Sequence, residues 1–390
     1  MSSVLAKRID LLMTESAFEV LAKARKLEAQ GRSVIHLEIG EPDFDTPQHI
    51  KDAAVRALAD GYTHYAPTAG LPQVRQAVAE YVSRSRAISV AAEEVIITPG
   101  AKPILFFLPL ACLEPGDEAI YPDPGFPTYQ SMIRFTGARP VPITLHEELD
   151  FRLDVDELRR LITPKTKMII LNSPHNPTGG VLSQEDLEGI AEAVRGRNLV
   201  VLADEIYSRM LYDRKHQSLA SLPGMKEQVV ILDGFSKTYA MTGWRLGYGV
   251  MRADLADAVR KLMVNSVSCT AGFSQMAAIQ ALQGPQEEAE AMAAEFRCRR
   301  DLLVTGLNRI PGVSCRLPVG AFYAFPNVKS FGRSSGEIAN LLLEQGGVAT
   351  LAGKSFGEQG EGYLRLSYAN STPNLEEALV RIERTLALLT

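Results

Sequence analysis

Short β-branched runs alternate with helical stripes over the first three quarters of the chain, a rhythm that predicts βαβ units around a mostly parallel sheet. The runs read as strands are Val95–Thr98 (VIIT), Glu118–Tyr121, Val141–Thr144, Met168–Asn172 (MIILN), Leu199–Ala203 (LVVLA), Val229–Asp233 (VVILD) and Arg245–Val250. Their near-continuous apolarity fits strands covered on both faces. Ahead of this block, Ser16–Gln30 places Phe18, Leu21 and Leu27 on one helical stripe that stops at Gly31, and Val34–Ile39 follows as a strand. After it, Gln286–Asn308 reads as a long, charge-laced linking helix, and the tail mixes strands (Ala321–Pro326, Tyr363–Tyr368) with helices (Gly336–Glu344, Leu375–Leu389). The expected fold class is α/β: a mostly parallel seven-stranded sheet in a large domain, residues 46–285, and a smaller α+β domain. Both chain ends build the small domain, from residues 1–45 and 286–390.

Composition narrows the function more than the fold. A chain of 390 residues has room for two or three domains. Its net charge of -5, with no lysine-arginine stripe, argues against a nucleic-acid surface, which needs clustered positive charge. The four cysteines, Cys112, Cys269, Cys298 and Cys315, are far apart and form no C-x-x-C pair, so neither zinc nor a disulfide framework is indicated. The start, MSSVLAKRID, is too short an apolar run for a signal peptide, and thiols of this kind fit a reducing cytoplasm. The most apolar stretch, ILFFLPLACL at Ile104–Leu113, falls well short of the roughly 20 residues that span a bilayer and reads as a core helix.

Lys237, in GFSKT after the run VVILD, invites a phosphate-loop reading. That loop needs Gly immediately before the Lys and another five residues earlier, where this chain has Ser236 and Ile231. No G-x-S-x-G, G-x-G-x-x-G or H-E-x-x-H occurs either. What remains is a set of polar residues just past apolar strands, where an α/β sheet gathers its ligands. Asn176 follows MIILN, Asp204 and Tyr207 follow LVVLA, and Lys237 follows VVILD. A lysine there can condense with an aldehyde while an aspartate holds a proton on a facing ring nitrogen, which together describe a pyridoxal phosphate site. The turn Gly100-Ala101-Lys102-Pro103, feeding a helix, offers amides and a dipole to the phosphate, and Ser236 and Arg245 can add a hydroxyl and a fork. Taken singly, Asn176 also reads as a turn residue, Asp204 as a solvated strand end, Phe126 as core and Arg365 as an exposed edge residue.

Together these residues resemble the fold-type I pyridoxal phosphate enzymes, specifically the class I aminotransferases of the aspartate aminotransferase family. The resemblance runs from Ser16 to the C-terminal helix. It is carried by GEPDFDTP (Gly40–Pro47), YAPTAG (Tyr65–Gly70), NSPHNPTGG (Asn172–Gly180), ADEIY (Ala203–Tyr207), SKTYAMTGWRLGY (Ser236–Tyr248) and LRLSYA (Leu364–Ala369). It implies that Lys237 carries pyridoxal 5'-phosphate and moves the substrate proton, and that Asp204 pairs with the pyridine nitrogen. Asn176 and Tyr207 would then bind the ring oxygen, and Phe126, in PDPGFPTY, would stack on the ring. Ser236, Arg245 and the Gly100, Ala101 and Lys102 amides would hold the phosphate, with Tyr65 reaching in from the second subunit of a homodimer. Arg365 would clamp the α-carboxylate, assisted by Asn176 and Gly40, while Lys102, Phe18 and Ile39 would meet the substrate side chain. The implied reaction moves the amino group of an L-amino acid, aspartate-like or hydrophobic, to a 2-oxo acid such as 2-oxoglutarate. A lyase or oxidase on the same residues, or a non-catalytic cofactor-binding regulator, are the alternatives.

Overall fold

The computed structural model describes residues 4–14 and 16–389. Twelve strands occur among them: β1 (Ile35–His36), β2 (Val95–Thr98), β3 (Glu118–Asp123), β4 (Arg139–Thr144), β5 (Thr166–Asn172), β6 (Val200–Asp204), β7 (Val229–Gly234), β8 (Gly247–Val250), β9 (Tyr323–Ala324), β10 (Val348–Ala349), β11 (Leu351–Ala352) and β12 (Leu364–Ser367). Seven of them form the main sheet, in the order β2-β8-β7-β6-β5-β3-β4. All its neighbours are parallel except β8, which runs antiparallel to both β2 and β7.

Alternate residues of the buried strands face opposite ways. Ile97, Ile120, Ile169, Val201 and Ile231 point into one core, shared with the buried faces of helices Pro72–Arg86, Gln184–Val194 and Gly272–Gln283. Ile96, Met168, Ile170, Leu202 and Leu232 point into the other, with helices Lys102–Cys112, Pro127–Phe135 and Ala253–Val264. A sheet covered on both faces needs apolar residues at every position, which is why its strands read as unbroken runs.

A third core joins the chain ends. Ile35 and Leu37 pack with Phe296, Leu303, Leu364, Leu366 and Ile382, β1 pairs in parallel with β10, and β11-β12-β9 form a small antiparallel sheet. The long helix is Glu287–Leu307, close to its expected bounds. Among the described residues no helix is long and apolar enough to cross a membrane.

Four expected elements differ most, and of the strand expected over Ala321–Pro326 only β9 forms. The strand expected over Val34–Ile39 is only β1, because Leu37, whose N–H still donates to the Ala349 carbonyl at 3.0 Å, turns its own carbonyl to the Ser367 N–H of β12 at 2.7 Å. Arg245 and Leu246 precede β8, and Arg245 takes a left-handed φ of 51°. The helix expected over Gly336–Glu344 is Ser335–Leu341, followed by a π-helical turn at Leu342–Gly346 and stopped by Gly347 at φ 65°. Strands β10 and β11, of two residues each, carry no readable period.

A buried ion bridge lies under the strand ends. Arg86 Nε donates to Glu205 Oε2 at 2.9 Å, and its Nη2 donates to Asp233 Oδ2 at 2.7 Å. Burial alone would raise the Glu205 carboxyl, but His216 and Arg86 beside it hold it at about 2. The residues flanking this bridge are Asp204 and, one turn past β7, Lys237.

Candidate active site

A cavity of about 610 Å³ opens beyond the carboxyl ends of β5, β6 and β7. Its lining includes Lys237, Asp204, Tyr207, Asn176, Phe126, Ala101, Lys102, Ser236, Arg245, Arg365, Gly40, Ile39 and Phe18. The fold therefore brings thirteen of the expected site residues together from distant segments. Gly100 stands behind the wall, and Tyr65 is off the cavity, 93% exposed. The lining holds four cations (Lys102, Lys237, Arg245, Arg365) against two carboxylates (Glu41, Asp204), an excess suited to an anionic ligand.

Asp204, the last residue of β6, is 5% exposed. Burial raises its carboxyl to about 6, opposed by hydrogen bonds from the Tyr129 hydroxyl and the Ile206 amide. Tyr129 Oη donates to Asp204 Oδ2 at 2.6 Å, and Ile206 N donates to Oδ1 at 3.3 Å. A carboxylate so desolvated gains most from a cationic partner at the cavity.

Lys237 lies in the loop after β7, and its Nζ donates to the Gly40 carbonyl at 2.5 Å. Burial lowers its pKa to about 8; Glu41 works against that, while Arg365, Arg245 and Lys102 add to it. Its amine is therefore neutral in an appreciable fraction near physiological pH, as a nucleophile or proton carrier must be.

The floor is a helix start. Residue Ala101 caps the helix Lys102–Cys112, and its carbonyl accepts the Ile104 N–H at 3.1 Å. Gly100 lies against the Arg245 guanidinium, and its left-handed φ of 87° is what favours glycine at this corner. Its own amide donates to the Thr98 carbonyl at 2.8 Å, so the donors facing the cavity come from the following residues. Arg245 Nη1 donates to Thr242 O at 2.8 Å, and Ser236 is buried beside Lys237.

Across the cavity stands Arg365 on β12, buried where a surface edge residue was the single-residue reading. Its Nη1 lies 3.4 Å from Asn176 Oδ1, its Nη2 donates to the Glu38 carbonyl, and its Cζ lies 4.6 Å from the Tyr323 ring centroid. Tyr207 and Tyr323 share a hydroxyl hydrogen bond of 2.8 Å. Burial holds the Tyr207 phenol well above its ordinary pKa, so it stays a donor.

Among the lining residues with no role in the sequence reading are four polar ones, Tyr129, Tyr323, Glu41 and Asn172, besides Thr242. Tyr129 sits one turn after Phe126 in PDPGFPTY, a spacing that puts both on one helical face. Glu41 is inside GEPDFDTP, where Thr242 Oγ1 donates to its carboxylate. Tyr323 is visible only once β9 is placed beside β12.

A part-buried amine and a buried carboxylate lining one cationic cavity at the strand ends define an α/β enzyme of lysine-based chemistry. The comparisons agree. The family model for aminotransferase class I and II matches residues 32–382. The aspartate aminotransferase of Pyrococcus abyssi is 41% identical over 386 residues, 98% of each chain. The aromatic-amino-acid aminotransferase 2 of Thermococcus litoralis is 40% identical over 363 residues, 92% of this chain and 93% of that one. The crystal structure of the aspartate aminotransferase from Thermus thermophilus with maleate superposes with a TM-score of 0.93 at 39% identity, covering 98% and 100%. The chain belongs to the class I and II aminotransferases, a family of pyridoxal phosphate enzymes, and transfers an amino group between an amino acid and a 2-oxo acid.

The depressed Lys237 pKa has a measurable sign. With a folded value near 8 and an ordinary value of 10.5, the unfolded chain binds a proton between those limits that the folded chain does not. Burying the amine thus costs stability below pH 8, and that cost fades as pH rises toward 10.5. In cofactor-free protein, borohydride trapping of a small aldehyde on Lys237, followed by mass spectrometry, should rise with a midpoint near pH 8. A midpoint above 10 would place the amine in an ordinary aqueous setting.

Proposed function

We propose that this cavity binds pyridoxal 5'-phosphate through Lys237 and performs the amino-group transfer with the residues already described. The observation that carries the reading is the conjunction of the Lys237 amine with the buried Asp204 carboxylate in a cavity of excess positive charge. When bound, the cofactor's protonated ring supplies a sink for the electron pair left at the substrate Cα. Asp204, oriented by Tyr129, holds that ring proton. Asn176 and Tyr207 donate to the ring oxygen, and Phe126 covers one ring face. Ser236, Arg245 and the Ala101 and Lys102 amides, on the corner made by Gly100, bind the phosphate.

Arg365 binds the substrate α-carboxylate through its planar fork, with Asn176 and the Gly40 backbone beside it. Gripping that group fixes the direction of the Cα–H bond, so that it points where Lys237 can take the proton. Lys237 then works as acid and base in turn, which its pKa near 8 permits in both directions.

The side-chain subsite is mixed. Lys102 Nζ lies 5.3 Å from the Phe126 ring centroid, while Phe18, Ile39 and Leu105 supply an apolar wall. We read this as broad specificity, taking both a distal carboxylate and a large apolar side chain, with 2-oxoglutarate as acceptor. Similar proteins named for aspartate and for aromatic amino acids support that breadth.

We also infer a homodimer in which Tyr65 reaches the partner's phosphate site. Tyr65 is 93% exposed, and the exposed Val55 and Leu58 line a groove of about 830 Å³ that shares Glu41, Thr242, Gly243 and Arg245 with the cavity. The division at residues 45/46 and 285/286 and a cytoplasmic location complete the reading; the described cysteines are all free thiols.

Purified holoenzyme should show the visible band of bound cofactor, lost on adding an L-amino acid and restored by a 2-oxo acid. Lys237→Ala should lower turnover by at least about a thousandfold, in line with loss of acid-base catalysis, while retaining noncovalent cofactor. Full activity in that variant would show that the lysine is misassigned.

Lys102→Ala keeps the amide and removes the charge. It should reduce kcat/KM for aspartate or glutamate by roughly tenfold or more and leave aromatic substrates within about threefold. Equal losses on both classes would remove Lys102 from side-chain recognition.

Light scattering should give twice the mass of the chain. A monomer with full activity would exclude the shared site.

A further inference from the structure

The loop beneath the substrate clamp is fastened to the cofactor side of the cavity by a buried carboxylate. Asp123, the last residue of β3, accepts the Glu358 N–H on Oδ2 at 3.2 Å and the Gln359 N–H on Oδ1 at 3.1 Å. Two residues on, the Gly125 N–H donates to the Phe356 carbonyl at 2.7 Å, and Phe126, in the cavity wall, follows. On the other side of the joint, the Phe356 ring centroid lies 5.1 Å from Arg365 Cζ, and its opposite contact is the Phe325 ring, edge-on at 6.5 Å.

The joint is sterically closed. Gly357 has φ 127°, and a β-carbon there would overlap the Asp123 carboxylate. The loop therefore approaches Asp123 with no side chain between, and both carboxylate oxygens are committed to backbone amides. A buried acceptor satisfied by two N–H groups fixes a geometry that one acceptor would leave loose.

We propose that Asp123 is a positioning residue for substrate recognition: by holding the 356–359 loop against β3 it seats Phe356 beneath Arg365 and sets the guanidinium in register with Phe126. The proposal rests on the reading of Arg365 as the α-carboxylate clamp. It assigns a recognition role to a residue outside the cavity lining, through two contacts in series.

The chemistry of the joint supplies the test. An asparagine presents one oxygen and one NH2 group, so Asp123→Asn can satisfy one amide and must turn a donor toward the other. Glu358→Pro removes one N–H from the loop itself, at the first position of a 3-10 turn where proline is tolerated. Glu358→Ala keeps that N–H and loses only the exposed pairing with Lys354, and so serves as the control.

Each holoenzyme would be titrated with an L-amino acid and with the primary amine that lacks only its carboxylate, reading the cofactor band for Kd and for the limiting rate. Asp123→Asn is expected to raise Kd for the amino acid by about tenfold, with the limiting rate within about twofold and the amine unaffected. Glu358→Pro should shift Kd in the same direction and Glu358→Ala should not. Equal weakening of amino acid and amine would make Asp123 merely structural, and no weakening of either would overturn the proposal. Should Asp123→Asn fail to fold, the contrast between the proline and alanine variants decides it. Arg365→Lys separates the two readings: loss of the amino acid's advantage there, without loss in Asp123→Asn, sinks the latch and keeps the clamp. An Arg365→Lys enzyme that still prefers the amino acid sinks both.

Discussion

The site depends on Arg86 being held between Glu205 and Asp233. Two carboxylates at the ends of neighbouring strands, both buried, would repel each other and draw in water; one guanidinium donating to each makes them a joint. Breaking such a buried pair costs about 3–5 kcal/mol, because a charge is left without a partner. The joint ties together the side chains of β6 and β7, already paired through their backbones, at the level where Asp204 leaves one strand and the Lys237 loop leaves the other. The residues above the sheet thus stand on a salt bridge whose three members lie outside the cavity lining.

Desolvation then sets opposite tendencies in the two central groups. It pushes Asp204 up to about 6 and Lys237 down to about 8, so each stands closer to neutrality than in water. The hydrogen bond from Tyr129 and the nearness of Glu41 restrain those shifts without cancelling them. The surplus of cations over carboxylates in the lining leaves room for two anionic groups, and the expected ligands carry a phosphate and a carboxylate.

Much of the architecture was legible because its signals are local. All the strands of the main sheet except β4 are buried almost throughout, so their apolar runs stand out, and Val95–Thr98 matches β2 residue for residue. Sequence placed Asn176, Asp204 and Lys237 after such strands, the motifs of the family brought in Arg365 and Gly40, and its wider resemblance brought in Phe18. What stayed illegible depends on partners far away in the chain. The two-residue strands β10 and β11 exist only because β1 and β12 lie beside them. Tyr323 meets the site only through β9, and nothing in AFYAF marks it. Arg365 in an alternating strand reads as a surface residue until the loop at Phe356 and the segment at Glu38 cover it.

The pairing of β1 with β10 has a consequence for biogenesis. Ile35 and Val348 are roughly 300 residues apart, so this contact waits until nearly the whole chain has left the ribosome. The main sheet can collect its strands during synthesis, but Ile39 and Gly40 cannot face Arg365 before the end arrives. Synthesis therefore supplies the sheet that carries Lys237 first and the segment that faces Arg365 last.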